Sequence, residues 1–503
     1  MLRTEFAELL SDMYKQTLHA VNDLHVEPVP ATLPTPTRSR LIGILDRWHF
    51  EPYKLSEDEL IACTLLLFEL LFRIERMQDV VPVSMQQISA FVHHLRRIYR
   101  LENSYHNFEH ALDVLQATYS YLREAGVVPP VGLLSFPNRM WKSKKVFDDG
   151  SLVTTLCPEE IFILFVAAIG HDVGHPGFSN HFMKTAESPL SKVYDGRSPL
   201  EHMHVQLLLR VMHQHDLGTI FNDQLKGPHL RKLLLTSVLA TDMSVHSDFM
   251  DRLQRYLSRQ QSTLCFRQTV LMQAILKCAD ISNPSRPYPV SQHWAGALMH
   301  EWAKQASYEK SLAFKPSVQE STSPLKEAKS QVFFIDHFAQ PLLALTTRAI
   351  PEMKKFLHES DKNRNLWMTR VQELEARLPT PEDDDAPEQG ADDFINVFPL
   401  TLPHSRQAME LRDDSFLSPS NGSTDSGLTS PVASEASFSM LEEHAAIRAA
   451  GKLGVRQQKI INRNSWCATS VPINHFTPTQ QSTSSPLAHV HESSNGSSPT
   501  YAA

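Results

Sequence analysis

The sequence has few cysteines, few glycines and no long hydrophobic run. Its five cysteines are widely spaced and include no C-x-x-C pair, so neither a disulfide framework nor a thiolate zinc site is expected. The longest apolar runs, 63–72 and 161–170, have about ten residues each, half of what a bilayer span needs. The first residues are interspersed with acidic ones, which is untypical of a secretory signal. We therefore expect a cytoplasmic protein without a transmembrane segment.

Basic residues are fewer than acidic ones, and the formal net charge is −8. A nucleic-acid backbone would repel such a chain overall, so no nucleic-acid partner is expected. Hydrophobic residues make up 42% of the sequence, which is ample for a core. The 32 prolines outnumber the 17 glycines, which indicates that part of the chain is punctuated by proline.

Composition divides the chain into three segments. Residues 1–38 contain a short helical pattern over 5–24 and a proline-rich stretch over 26–37 that favours an extended linker. Residues 39–378 have apolar residues at three- and four-residue spacing and no strand alternation, which predicts an all-α domain of many helices. Residues 379–503 are rich in Ser, Thr, Pro and Asn, which predicts a disordered tail of unknown partners, interrupted by a helical pattern over 439–453.

Within the middle segment, residues 129–151 interrupt the helical pattern. They contain three prolines and a basic run over 139–145. This composition predicts a long surface loop between two core helices, without a catalytic residue.

The motif His171-Asp172-Val173-Gly174-His175 follows an apolar helical run. His171 and His175 are four residues apart and project from one helical face. A histidine followed by an aspartate suits one metal, and the carboxylate remains free to bridge to a second. Alone, the pair would fit a surface pair or a capped core histidine equally well.

Two further clusters carry ligand-type residues. His106 and His110 are four apart on one predicted helical face, a spacing that by itself is more often a feature of a solvated or packed face. Asp280 lies at the end of an apolar helix, shortly before Pro284. A carboxylate on an apolar helix needs a partner.

His110, His171, Asp172 and Asp280 together would provide two nitrogen and two oxygen ligands, which suits zinc. A second ion sharing Asp172 would have few protein ligands and many waters, as is usual for Mg²⁺ or Mn²⁺. Two metals about 3.5–4 Å apart could lower the pKa of a bridging water to about 7 or below. The sequence thus predicts a binuclear metal site with hydroxide as the nucleophile.

These residues belong to five ordered blocks in which the sequence resembles the class I cyclic nucleotide phosphodiesterases. The resemblance extends over residues 60–367. The blocks are Tyr105-His106-Asn107 with His110, residues 171–177 with Asn180, residues 239–244, residues 279–284 and residues 330–336. It implies an all-helical catalytic domain that binds a pair of metals.

The resemblance also implies residue roles. His110, His171, Asp172 and Asp280 hold the zinc, and Asp172 bridges to magnesium. His106 is the general acid that protonates the departing 3′ oxygen, and Glu201 orients it. A protonated histidine whose pKa is raised by a carboxylate can donate a proton at pH 7.

Other positions match residues that support the metals. His175 and Asp242 match positions that fix ligand geometry and water without binding the zinc, although Asp242 could equally be a helix cap.

The substrate-binding positions implied by the resemblance are Tyr105, Asn283, Leu298, Gln331 and Phe334. The Gln331 amide grips the purine edge, and Phe334 stacks on the base opposite Leu298. Without the other blocks, Phe334 would be read as a core residue.

Asn283 indicates a preference for cyclic AMP over cyclic GMP. An asparagine can accept from adenine N6 and donate to N7, whereas guanine presents two acceptors and leaves the asparagine oxygen unmatched. Family members with asparagine at this position tend to prefer cyclic AMP. The alternative is that Asn283 only caps the turn before Pro284.

The sequence departs from the family pattern at three places. Met203 stands where histidine is usual, Gly174 where aspartate is common, and Gln305-Ala306-Ser307 where Gln-Gly-Asp is usual. None of these removes a metal ligand, so we expect effects on water structure and on the local turn.

The predicted function is hydrolysis of a 3′,5′-cyclic nucleotide, most plausibly cyclic AMP, to the 5′-monophosphate, which would end cyclic nucleotide signalling. An HD-type phosphohydrolase of linear nucleotides is the second enzyme class, but it gives no reason for Gln331 and Phe334. A non-catalytic nucleotide-binding scaffold is a third reading, and the intact ligand set argues against it.

Overall fold

The computed structural model describes residues 2–24, 33–149, 151–258, 263–318 and 323–377. Over these ranges the chain forms helices and no strand, apart from an isolated bridge between Ile74 and Trp141, so the all-α prediction is confirmed. The tail 379–503, with its helical pattern over 439–453, lies outside the described residues. So does most of the predicted linker.

The α-helices of the described ranges are α1 (Leu2–Asn22), α2 (Thr35–Leu45), α3 (Glu57–Leu71), α4 (Met77–Val80), α5 (Met85–Ile98), α6 (Phe108–Glu124), α7 (Pro158–Gly170), α8 (Asn180–Thr185), α9 (Pro189–Val193), α10 (Pro199–Gln214), α11 (Gly227–Leu239), α12 (His246–Ser258), α13 (Leu264–Asp280), α14 (Tyr288–Ser311), α15 (Pro324–Phe334), α16 (Gln340–Ala349) and α17 (Lys354–Glu375). A π-helical turn, Ile335–Ala339, joins α15 to α16.

Polar caps begin several of these helices. Ser56 and Glu59 form a capping box at α3, and Ser84 and Gln87 form another at α5. At α6 the Asn107 side chain accepts a hydrogen bond from the backbone N–H of His110 at 3.0 Å. This cap fixes His106 just before the helix and His110 in its first turn.

Helix α7 lies at the centre of the core, and every residue from Glu159 to Gly170 is buried. It packs against α6, α11 and α13. Because α6 and α13 carry His110 and Asp280, and α7 leads directly into His171, this packing brings the three predicted ligand clusters together.

Helix α1 packs against α5 and α10, and buries Met13 and Val21. Helix α2 begins at Thr35, inside the segment predicted to be extended. Pro36 is tolerated there because the first turn of a helix leaves its N–H groups unpaired in any case.

Residues 129–149 lie between α6 and α7, as predicted for the loop, but Val131–Ser135 form a 3₁₀ turn that buries Val131, Leu133 and Leu134, so only the later part lies at the surface. No helix among the described residues is long and apolar enough to cross a membrane.

Candidate active site

Side chains from three helices converge on a compact group of nitrogen and oxygen atoms. One ligand atom from each of His110, His171, Asp172 and Asp280 lies within 4.8 Å of all the others. Asp280 Oδ1 lies 3.3 Å from the Nε2 atoms of both His110 and His171. Asp172 Oδ2 lies 3.1 Å from His171 Nε2 and 3.9 Å from His110 Nε2. The structure therefore brings together the four predicted metal ligands.

The environment of His171 fits a metal ligand. Its Nδ1 donates to the Ala168 carbonyl at 2.9 Å, which leaves the lone pair on Nε2. That Nε2 atom is buried, with Asp172 Oδ2 at 3.1 Å and Asp280 Oδ1 at 3.3 Å. A buried nitrogen lone pair beside two carboxylates matches the donor set of a divalent cation.

The carboxylates of the group are charged. Burial alone would raise the pKa of Asp172, but His171 lowers it well below its ordinary value. Burial would also raise the pKa of Asp280, and its hydrogen bonds with His110 and His171 lower it instead. Two ionised carboxylates are thus held close together in a buried position.

Tyr99 and Gly174 shape the backbone that carries Asp172. The Tyr99 hydroxyl donates to the Ile169 carbonyl at 2.9 Å and accepts from the Asp172 N–H at 3.3 Å. Gly174 has a φ of +73°, and a Cβ built on it would lie 2.5 Å from Leu207 Cδ1 and 3.1 Å from Thr17 Cγ2. Glycine at this position, where the family commonly has aspartate, thus has a steric reason in this chain.

The predicted general acid, His106, is paired with a glutamate that the sequence reasoning missed. His106 Nδ1 lies 3.0 Å from Glu301 Oε2, and the other Glu301 oxygen accepts from the backbone N–H groups of Tyr105 and His106. Burial alone would lower the pKa of His106, but Glu301 raises it above its ordinary value. The arrangement gives a buried histidine that retains its proton.

Glu201 does not occupy the position expected for it. Its carboxylate accepts two hydrogen bonds from the Asn180 amide, at 3.1 and 2.9 Å, and the carboxylate against His106 is that of Glu301. Burial, followed by the charge of Asp242, raises the pKa of Glu201 well above its ordinary value. Glu201 thus lies beside Asn180 and near Asp242, and it does not orient the general acid.

His175 and His204 flank this centre. The His175 ring stacks on His106 at 4.2 Å between centroids and on His204 at 5.5 Å. His204 Nε2 lies 3.8 Å from Asp172 Oδ1, and burial lowers the pKa of His204 to about 4. His204 was not among the predicted site residues, although it lies three residues after Glu201 on α10. Its contact with Asp172 is present even though the preceding residue, Met203, replaces the histidine usual in the family.

Asp242 acts as a cap, the alternative that the sequence left open. It accepts from the Ser244 N–H at 2.8 Å and from the Ser198 hydroxyl at 2.6 Å. These bonds hold the start of a 3₁₀ turn and the start of α10, which carries Glu201 and His204.

Three of the predicted substrate residues lie together beside the metal-binding group. Tyr105 is buried against Trp294, Leu298 packs on the same cluster, and the Tyr105 ring lies 4.4 Å from that of His110. The Asn283 amide donates to the Tyr105 hydroxyl at 2.5 Å, and its oxygen is buried without a hydrogen-bond partner in the described chain.

Gln331 and Phe334 both lie on α15, which packs against α14 and α17. Gln331 is buried, and its amide forms no hydrogen bond with another described residue. Phe334 is half-buried and stacks on Phe338 at 5.7 Å.

Comparison with known proteins agrees with this geometry. A family model described as 3′5′-cyclic nucleotide phosphodiesterase matches residues 105–360, about half of the chain. The 3′,5′-cyclic-nucleotide phosphodiesterase regA of Dictyostelium discoideum is 27% identical over 335 residues, covering 65% of this chain and 38% of that protein.

Two mammalian relatives carry names that specify different bases. The high affinity cGMP-specific 3′,5′-cyclic phosphodiesterase 9A of Homo sapiens is 26% identical, covering 65% of this chain and 48% of that protein. The 3′,5′-cyclic-AMP phosphodiesterase 4C of Mus musculus is 26% identical, covering 65% of this chain and 45% of that protein. The chain spans less than half the length of each of these three relatives.

Solved structures share the fold. The crystal structure of yeast caPDE2 matches with a TM-score of 0.59 and 26% identity, covering 71% of this chain and 73% of that one. The phosphodiesterase domain of the RhoPDE fusion protein from Salpingoeca rosetta matches with a TM-score of 0.57 and 21% identity, covering 67% of this chain and 99% of that one.

Proposed function

The chain belongs to the 3′5′-cyclic nucleotide phosphodiesterase family, and from that premise we propose that it hydrolyses a 3′,5′-cyclic nucleotide to the nucleoside 5′-monophosphate. The observation that carries this proposal is the position of the buried His106–Glu301 pair beside the four clustered ligand residues. This arrangement offers a proton donor next to a site for divalent cations, which are the two requirements for cleaving a phosphodiester with a poor leaving group.

His110, His171, Asp172 and Asp280 would hold the metals, with zinc on all four residues and Mg²⁺ or Mn²⁺ sharing Asp172. Bound there, the ions would supply Lewis-acid activation of water and of the phosphate. The hydrogen bond from His171 Nδ1 to Ala168 keeps Nε2 directed at the group, so that loss of its proton would leave a lone pair for the ion.

His106 would protonate the departing 3′ oxygen. Glu301 accepts the Nδ1 proton of His106, so the second proton of the imidazolium is on Nε2 and is free to be donated. Because Glu301 also accepts from the backbone at Tyr105 and His106, the carboxylate cannot swing away from the ring without losing those bonds.

We propose that cyclic AMP is the preferred substrate, with Asn283 as the residue that discriminates. Because its Nδ2 donates to Tyr105, the open atom is the acceptor Oδ1. The N6 amino group of adenine would satisfy this acceptor, whereas O6 of guanine would face it with a second acceptor. Gln331, with an uncommitted amide, can pair with either purine and so supports binding without selectivity.

Kinetics on the two cyclic nucleotides test this preference. One unmatched buried polar contact costs about 1–3 kcal/mol, so kcat/KM for cyclic AMP should exceed that for cyclic GMP by at least about tenfold. Asn283→Ala should collapse the ratio, and Leu298→Ala should lower both values together. Equal efficiencies in the unmodified chain, or a large ratio that survives Asn283→Ala, would show that Asn283 does not discriminate.

The activity itself is tested with the purified full chain, cyclic AMP and cyclic GMP. We expect nucleoside 5′-monophosphate as the product, loss of turnover with a chelator, and recovery on adding Zn²⁺ and Mg²⁺. A metal-loaded chain that cleaves neither cyclic nucleotide but removes polyphosphate from a linear nucleotide would favour the HD-type phosphohydrolase reading.

We also propose a cytoplasmic location. The four cysteines among the described residues are unpaired, and Cys63 and Cys278 are buried as free thiols, which suits a reducing compartment.

A further inference from the structure

Residues 136–147, in the loop between α6 and α7, present apolar side chains to solvent. The exposed fractions are 55% for Phe136, 48% for Met140, 70% for Val146 and 51% for Phe147. Single exposed apolar residues are ordinary on protein surfaces, but here four stand within twelve residues of one loop, and concentrated exposed apolar surface marks interaction sites. We refer to the exposed side chains of residues 136–147 as the loop surface.

The backbone beneath the loop surface is held in place by the core. The backbone N–H of Trp141 donates to the Arg73 carbonyl at 2.7 Å, and the backbone carbonyl of Trp141 accepts from the Glu75 N–H at 2.8 Å. Further along, the Ser143 hydroxyl donates to the Gly126 carbonyl at 2.9 Å. The loop surface is therefore formed before any partner binds, which lowers the entropy cost of binding.

The loop surface carries positive charge that its surroundings do not neutralise. Arg139 lies over the Phe136 ring, and Lys142 is 3.8 Å from its nearest acidic partner with most of its side chain in solvent. Lys144 is exposed and forms no ion pair within the described chain. The adjacent Asp148 is engaged by Arg267 in a bidentate pair, so it does not compensate these cations.

We propose that the loop surface binds the segment 382–398 of the same chain, which lies outside the described residues. This segment has seven acidic residues, no lysine or arginine, and ends in Phe394-Ile395-Asn396-Val397-Phe398. Carboxylates would meet Arg139, Lys142 and Lys144, while the aromatic end would cover the exposed apolar side chains.

The length of chain permits this contact. Glu352, just before α17, is 2.5 Å from Lys145 of the loop, so α17 begins beside the loop surface. Its 22 residues carry the chain about 33 Å away. The 16 residues from Arg377 to Asp392 can span up to about 50 Å when extended, which is enough to return.

Tethering favours this occupant over others of similar chemistry. A segment on the same chain is present at an effective concentration of about millimolar, which a separate acidic protein would have to match. An anionic membrane would be attracted by the loop but repelled by a chain whose net charge is −8.

Hydrogen exchange of the full-length protein tests the proposal. We expect amides in 382–398 to be protected, and protection to fall at least about tenfold in Lys142→Glu/Lys144→Glu. The matched control Arg231→Glu/Lys232→Glu changes the net charge equally on the exposed face of α11 and should leave protection unchanged. Reciprocally, ending the chain after Leu378 should raise exchange in residues 136–147.

Carbodiimide coupling identifies which chain supplies the segment. We expect amide cross-links from Lys142 or Lys144 to carboxylates of 382–393 within one copy when ¹⁴N- and ¹⁵N-labelled proteins are mixed. Mixed-isotope cross-links would assign the segment to a second copy and overturn the intramolecular proposal. Amides of 382–398 that exchange without protection would also overturn the proposal. If, in addition, Lys142 and Lys144 were required for binding to vesicles of 70% phosphatidylcholine and 30% phosphatidylserine, the loop surface would instead be assigned to a membrane.

Discussion

Replacing Glu301 by glutamine tests how its carboxylate supports the proposed general acid. Glutamine keeps the size of the side chain, and its oxygen can still accept from the Tyr105 and His106 N–H groups. The carboxylate charge beside His106 Nδ1 is lost, and the amide NH2 that then faces Nδ1 cannot accept its proton. Glu301→Ala would be a poorer choice, because two buried backbone donors would then be unpaired.

The separation of the two side chains sets the size of the effect. Unit charges 3.0 Å apart attract by about 5 kcal/mol at an effective dielectric constant of about 20, and about 1.4 kcal/mol corresponds to one pKa unit. Part of this attraction offsets the burial of His106, and Asp172 and Asp280 also support its charge. Burial and the two aspartates are unchanged in Glu301→Gln, so we expect the loss of the Glu301 charge to lower the pKa of His106.

The sign of the pH effect follows from the role of an acid. His106 donates only when protonated, so kcat falls as pH rises through its pKa. A lower pKa moves this alkaline limb to lower pH, and on that limb each loss of about 1.4 kcal/mol of charge interaction should lower kcat about tenfold relative to the unmodified enzyme. Metal content should be unchanged, because Glu301 is not among the clustered ligands.

The assay is the pH dependence of kcat on cyclic AMP between pH 5 and pH 10, with metal content measured on the same samples. Glu201→Gln is the comparison, because Glu201 contacts Asn180 and should not shift the alkaline limb. A Glu301→Gln profile that superimposes on that of the unmodified enzyme would refute the reasoning, and a shift in Glu201→Gln alone would return the orienting role to Glu201.

Three further predictions concern the metals, the acid and the tail. Asp280→Ala should abolish activity by loss of metal, because it removes one of four clustered ligands, and full zinc content in the purified variant would contradict its role. His106→Ala should keep its metals but lose about 10²–10⁴ in kcat, so an unchanged kcat would show that another group protonates the leaving oxygen. Ending the chain after Leu378 should leave kcat/KM nearly unchanged, because the loop surface follows the carboxyl-terminal end of α6, whereas His110 lies in its first turn. An inactive or insoluble product alongside an active full-length control would contradict this.

The grouping of the four candidate metal ligands was predictable because their signals are local. Each ligand stands near a recognisable helix boundary. His110 follows a helix cap, His171 follows an apolar helix, and Asp280 precedes a proline stop. Residue type and spacing then suffice to group them, since buried carboxylates and histidines must find partners. The packing of α6, α7 and α13 supplies the proximity that spacing could not.

Glu301 was missed because nothing near it in the sequence marks it. It is one of two acidic residues in a 24-residue helix, and its partner His106 is 195 positions away. Glu201 was assigned the orienting role through the family resemblance, yet three-dimensional packing decides which carboxylate reaches the ring.

The contact between Gly174 and Thr17 links the amino-terminal helix to the metal-binding turn. A Cβ at position 174 would lie 2.5 Å from Leu207 Cδ1 and 3.1 Å from Thr17 Cγ2, so Leu207 would have to change rotamer and Thr17 of α1 would have to shift. Arg100 holds α1 by donating to the Met13 carbonyl at 2.6 Å, and it directly follows Tyr99, which bonds the Asp172 N–H. The glycine and the placement of α1 are therefore coupled, so we expect a graft of one into a relative to be tolerated better when the other is moved with it.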